Sequence, residues 1–96
     1  MNALLIITSD AFATRQQIQD HLNTVKEITY WYSCLPHCIF CTSMLTAAQL
    51  AKQLEEQFGH SKGRRFLVMR ANADRQGRLP AEAWHLLNNP DSPKMK

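Results

Sequence analysis

The chain has 96 residues, 45% of them hydrophobic and 20% charged, with 11 Lys and Arg against 8 Asp and Glu. This size and composition are those of one globular domain, and they exclude a disordered or collagen-like chain. No apolar run approaches the roughly 20 residues that a membrane span needs, and the first apolar run is too short for a signal peptide. We therefore expect a cytoplasmic protein with no membrane contact.

Four segments are predicted strands because they are short, apolar and rich in β-branched or aromatic residues. They are residues 2–9, 27–33, 37–43 and 65–71. The nearly continuous apolarity of the first segment indicates a central strand that is covered on both faces. Leu35-Pro36 separates the second segment from the third, so these two are predicted to form a hairpin.

Three segments are predicted helices. The first two begin with the capping-box pattern, in which Thr14 and Thr46 are each followed three residues later by Gln. Apolar residues then recur at helical spacing over about residues 15–26, and again from Thr46 to Gly59, where glycine favours a helix end. Pro80 suits the first turn of a short third helix.

The element order predicts an α+β, ferredoxin-like β-α-β-β-α-β domain over residues 1–88, followed by a mobile tail at 89–96. Its four-stranded antiparallel sheet would carry two helices on one face and a short C-terminal helix. The other face would expose alternating large strand residues, for which Trp31, Phe40 and Met69 are the candidates. An apolar face of this kind in so small a chain predicts a homodimer.

Basic residues are concentrated in the last third of the chain. Residues 60–96 hold eight basic residues against three acidic ones, which is the electrostatic pattern of a phosphate-binding protein. The candidate nucleic-acid contacts are Lys62, Arg64, Arg65, Arg70, Arg75 and Arg78. A solvated loop is the alternative reading of this segment. Tyr30, Trp31 and Tyr32 are candidates for stacking on bases, with core or dimer contacts as their alternative.

Three cysteines and a histidine lie close together in the hairpin. Zinc takes thiolate and imidazole ligands, often with two residues between cysteines, and the set Cys34, His37, Cys38 and Cys41 offers that spacing. Strand geometry opposes the site, because side chains three apart on a strand point to opposite faces. Buried or surface thiols are the alternative.

The segment Trp31 to Ser43, followed by Leu45-Thr46-Ala47-Ala48-Gln49-Leu50, resembles the SinR-like family of small bacterial proteins. The strand at 65–71 and the helix that starts at Pro80 fit the same pattern, so the resemblance covers about residues 3–88. That family is similar in fold to the second CRISPR-associated protein and to VapD-type toxin ribonucleases. In nuclease-active relatives, an aspartate at the end of the first strand lies near the dimer axis with a divalent metal, and Asp10 matches it.

Two Asp10 carboxylates at a dimer axis would suit Mg²⁺ or Mn²⁺, which take oxygen ligands and activate water. The alternative is a strand-end aspartate that bonds the amides of the next turn. Three functions therefore stay open: a homodimeric binding protein that contacts nucleic acid, a metal-dependent endonuclease using Asp10, and a zinc-binding module. The first is the one that the sequence favours.

Overall fold

A computed structural model describes residues 1–9, 12–58 and 65–94. It has four strands and three helices, one for each predicted segment. The strands are β1 (Asn2–Thr8), β2 (Ile28–Leu35), β3 (Cys38–Ser43) and β4 (Phe66–Arg70). The helices are α1 (Arg15–Thr24), α2 (Ala47–Phe58) and α3 (Ala81–Asn88). Among the described residues, no helix is both long and apolar enough to cross a membrane.

The strands form one antiparallel sheet in the order β2-β3-β1-β4. Because each neighbouring pair is antiparallel, β1 runs parallel to β2 with β3 between them, and β3 runs parallel to β4 with β1 between them. The connection between each parallel pair contains one helix, α1 in the first and α2 in the second. The prediction of an α+β protein with a four-stranded antiparallel sheet and three helices is confirmed.

The sheet carries a separate apolar core on each face. On the first face, Leu4 and Ile6 of β1 pack with residues of α1 and α2, among them Leu22 and Leu54, and all four side chains are fully buried. On the second face, Phe40 of β3 packs with Ala3 and with Ala83, Leu86 and Leu87 of α3. β1 therefore contributes alternate residues to both cores, which explains its continuous apolar sequence.

The predicted open face needs correction at two positions. Trp31 lies on the first face, where it packs against the core beneath the two longer helices, and its indole Nε1 donates to Oδ1 of Asn23 in α1 at 2.7 Å. Phe40 does lie on the second face, but α3 covers it and leaves it 2% exposed. Met69 is exposed as predicted. The sequence could not show that α3 folds back across β2 and β3.

Both predicted capping boxes are present. In α1 the Thr14 hydroxyl accepts from the Gln17 backbone N–H, and the Gln17 side chain accepts from the Thr14 backbone N–H. At the start of α2, Thr46 and Gln49 make the same pair of bonds at 3.2 and 2.9 Å. Each box satisfies two backbone donors that a helix N-terminus otherwise leaves unpaired.

The first residues of the predicted tail are attached to the domain. The N-terminal ammonium of Met1 forms an ion pair with Asp91 at 2.9 Å. Nε2 of His85 in α3 lies 2.8 Å from the backbone oxygen of Ser92. The segment after α3 is thus held between the start of β1 and the side of α3.

Replacing Thr46 by Ala should lower the free energy of unfolding by about 1 kcal/mol, because the Gln49 amide loses its acceptor. Thr46→Ser keeps the hydroxyl and should retain most of the stability, and Lys52→Ala, on the exposed side of α2, serves as a control. Urea unfolding of the three variants measures the effect. Equal stability of Thr46→Ala and the parent would show that this box does not stabilise the helix.

Candidate functional site

The candidate metal residue and two of the candidate phosphate contacts, Asp10, Lys62 and Arg64, lie outside the described residues. The described residues next to two of them, Ser9 and Arg65, are hydrogen-bonded to each other. The Ser9 backbone N–H donates to the Arg65 carbonyl at 2.9 Å, and the Ser9 hydroxyl accepts from the Arg65 N–H at 3.2 Å. The end of β1 and the start of β4 are therefore joined at one edge of the sheet.

The described arginines do not form one basic patch. Arg65 precedes β4 and Arg70 ends it, so the two lie at opposite ends of the strand, about 16 Å apart along an extended chain. Arg70 also pairs with Leu4 in the register of the sheet, which places it on the first face. Arg78 lies beyond β4, in the segment that leads to α3, and is exposed.

Arg75 is occupied by the domain itself. Its guanidinium donates to the carbonyl of Leu87 at 3.2 Å and to Oδ1 of Asn88 at 2.7 Å, and it also donates to the Asn72 carbonyl. These acceptors lie in the last turn of α3 and at the start of the 72–79 loop. A cation is favoured at a helix C-terminus, so the Arg75 guanidinium fastens the loop to α3 through bonds within the domain.

The cysteines are separated by the sheet. Cys41 is fully buried in the core of the first face, whereas Cys34 and Cys38 pack on the second face. Burial raises the pKa of Cys41 from 9.0 to about 12 and also raises the pKa values of the other two thiols. No group of three or more His, Cys, Asp or Glu side chains comes together among the described residues, so these residues do not form the zinc site considered from the sequence.

The aromatic residues of β2 also divide between the two faces. Tyr30 and Tyr32 pack against the core beneath α3, and Trp31 packs on the opposite side beside α1. Alternation along the strand thus prevents the three rings from forming a common stacking platform.

An apolar surface lies on the second face, and of its residues the sequence analysis had singled out Met69 alone. Ile7 is 38% exposed, Leu67 55% and Met69 43%. In the register of β1 and β4, Ile7 pairs with Leu67 and Leu5 pairs with Met69, so these side chains lie side by side. We call Ile7, Leu67 and Met69 the open face. Alternation along β4 predicts Met69 and Leu67 together, but only the position of α3 shows which strands stay uncovered.

Part of the open face continues into a groove of about 610 Å³. Its floor consists of Leu5, Ile7, Phe40 and Met69 from three strands. The turn at 35–38 closes one side, and the 72–79 loop together with α3 closes the other. Leu67 lies on the same face but does not line the groove.

No family model, curated protein or solved structure matches the chain. The relationship to the SinR-like family, and with it a metal at Asp10, therefore stays a prediction from the resemblance alone.

The stability of the protein should fall above pH 9 because of Cys41. The unfolded thiol loses its proton above 9.0, whereas the native thiol keeps it until about pH 12. The native state then holds more protons, so stability decreases as pH rises. Between pH 8 and pH 10 the loss from this group should be about 1.4 kcal/mol.

Urea unfolding of the parent and of Cys41→Val over this pH range isolates the effect, since every other titrating group is common to both. We expect the difference between the two proteins to change with pH. If the unfolding free energies of the two proteins changed in parallel with pH, burial would not raise the pKa of Cys41.

Proposed function

We propose that this chain is a ferredoxin-like protein that forms a homodimer by pairing of β4 strands, and that the dimer binds nucleic acid through arginines at the two ends of the new interface. The observation that carries the proposal is the outer edge of β4, whose outward backbone groups have no hydrogen-bond partner among the described residues. That edge adjoins the exposed apolar side chains of the open face.

The ferredoxin-like assignment is supported by the order of strands and helices. Two β-α-β units each enclose a strand of the other unit, and their helices α1 and α2 pack on the same face of the sheet. This arrangement is that of the split β-α-β motif.

The two edges of the sheet differ in how well they resist pairing. β2, at one edge, has register irregularities between Ile28 and Tyr30 and between Tyr32 and Leu35, and such bulges twist an edge away from further strands. β4, at the other edge, pairs with β1 in an unbroken register from Phe66 to Arg70. It contains no proline, and its only charged residue is the last.

The register also identifies which backbone groups of β4 point outward. The Ala71 N–H bonds to the Ala3 carbonyl and the Ser9 N–H to the Arg65 carbonyl, so odd-numbered residues of this segment face β1. Because hydrogen-bonded positions alternate in an antiparallel pair, Phe66, Val68 and Arg70 direct their N–H and C=O groups away from the sheet. We call these outward groups the β4 edge.

The β4 edge of a second copy would offer the same outward N–H and C=O groups, so two β4 edges can hydrogen-bond to each other. Antiparallel pairing centred on Val68 would join Phe66 of one copy to Arg70 of the other and would make one continuous sheet. Leu67 would then lie opposite the partner's Met69 on the second face, so that both exposed side chains become buried. The proposed dimer interface is therefore at β4, whereas the sequence analysis had placed it at Trp31 and Phe40.

The same pairing would gather charge that one chain keeps apart. Arg70 of each copy would lie beside the start of the partner's β4, with its side chain on the first face, whereas alternation directs the Arg65 side chain to the second face. Each end of the paired strands would then carry two arginines, one on each face of the sheet, and guanidinium is the side chain best suited to phosphate. Arg75 contributes to the fold instead of to this site.

The dimer is tested by a charge exchange at the open face. Leu67→Glu should convert the protein to a monomer, because it places a carboxylate opposite Met69 in an apolar contact. Adding Met69→Lys should restore the dimer, since opposite charges then face each other twice across the axis. Light scattering and sedimentation at high micromolar concentration measure both. A monomeric parent, or a double variant no better than Leu67→Glu, would contradict edge pairing.

Nucleic-acid binding is tested by its salt dependence. We expect the affinity for labelled RNA or DNA to fall linearly with salt on logarithmic axes, and the Arg65→Gln/Arg70→Gln variant to show lower affinity and a shallower slope. Arg15→Gln, an exposed arginine of α1, is the matched control. Fluorescence anisotropy at several salt concentrations gives both quantities. Unchanged affinity and slope in the double variant would exclude these arginines as phosphate contacts.

A further inference from the structure

The groove beside α3 has the size and lining of a small-molecule site. Its volume of about 610 Å³ falls within the roughly 300–1,000 Å³ typical of ligand pockets. Leu5 and Met69 belong to its floor, and Leu79, Trp84 and Leu87 form the wall made by α3 and the preceding loop. Its remaining side is the turn that contains Cys38. The groove is therefore a bounded concavity, whereas Leu67 lies outside it on an open surface.

The floor is unsuited to a polar ligand. Leu5, Ile7, Phe40 and Met69 offer no side-chain hydrogen bonds, apart from the weak thioether acceptor of methionine. A sugar or a nucleotide lying on them would lose its hydration without replacement, which is costly. An apolar chain or ring would gain from the same burial.

Charge is present only at the rim. Arg70, Arg75 and Arg78 line the groove against one aspartate, Asp74. Arg70 directs its side chain to the first face, and Arg75 is bonded to the end of α3. Arg78 is exposed, and within the described part of the chain its side chain makes no hydrogen bond or ion pair. The groove thus combines an apolar floor with one available guanidinium at its edge.

We propose that this groove binds a single-chain amphiphile with an anionic head group, the apolar part lying on the strand floor and the head group contacting Arg78. Arg78 presents planar N–H donors that match a carboxylate. The proposal does not require the β4 dimer. The two sites share Met69, which lies in the groove floor and would face the partner's Leu67, whereas Leu67, Phe66 and Val68 do not line the groove.

Cys38 supplies a direct readout because it lines the groove, whereas Cys34 packs on the same face outside it. The full-length protein is treated with N-ethylmaleimide at pH 8.5, with decanoate, with decanol or with neither, and mass spectrometry follows each thiol. Decanoate should slow the alkylation of Cys38 and leave Cys34 unchanged. The concentration that gives half-protection reports the dissociation constant of each probe.

Two variants with matched controls locate the two parts of the ligand. Ile7→Lys should raise the dissociation constant of both probes about tenfold or more, because a charged group then occupies the floor. Met44→Lys, at an exposed apolar position outside both the groove and the proposed dimer interface, should leave both unchanged. Arg78→Gln should raise the value for decanoate about tenfold and not that for decanol.

Three results would overturn the proposal. The first is equal alkylation of Cys38 with and without decanoate. The second is equal weakening of decanoate and decanol by Arg78→Gln, which would remove the head-group contact. The third is protection of Cys38 that rises with protein concentration and not with decanoate, which would assign the groove to a second copy. A monomeric parent that still shows decanoate protection would contradict the β4 dimer and leave this site intact.

Discussion

The sheet has two apolar faces, and its crossover connections can cover only one of them. Both β-α-β units are expected to be right-handed. The second unit runs in the opposite direction along the sheet with its strands reversed, so the same hand places α2 on the same face as α1. The second face must then be covered by something else. α3 supplies part of the cover, and it packs over β2 and β3.

The incomplete cover explains the remaining features of the surface. The half of the second face formed by β1 and β4 keeps Ile7, Leu67 and Met69 exposed. A chain of this size buries a modest fraction of its unfolded surface, so a contact that removes these side chains from water would add appreciably to its stability. The same gap creates the groove, whose outer wall is the loop between β4 and α3.

Arg75 holds this loop in place. The side chain reaches from the 72–79 loop to the carbonyl of Leu87 and to Asn88, and so connects the beginning of the loop to the far end of α3. A loop fixed in this way keeps Arg78 at the rim of the groove. One member of the basic segment therefore has a structural role, and it positions another that is free to bind.

Local patterns in the sequence predicted each strand and helix, down to both threonine capping boxes, because capping and alternation depend on neighbouring residues only. They also predicted that Cys38 and Cys41 point to opposite faces. They failed where the outcome depended on distant packing. Trp31 turned toward α1, where Asn23 accepts its indole N–H, and Phe40 was covered by a helix more than 40 residues later in the chain. The structural role of Arg75 could not be predicted from the sequence, because two of its hydrogen-bond acceptors belong to α3, more than ten residues later in the chain.

The central claim is that a second copy pairs with the β4 edge, and residue-resolved hydrogen exchange tests it most directly. The amides of Phe66, Val68 and Arg70 point away from β1, whereas that of Ala71 bonds to Ala3. Pairing of two β4 strands predicts slow exchange at Val68 that becomes faster as the protein is diluted, with little change at Ala71. Rapid exchange at Val68 at every protein concentration would contradict the account.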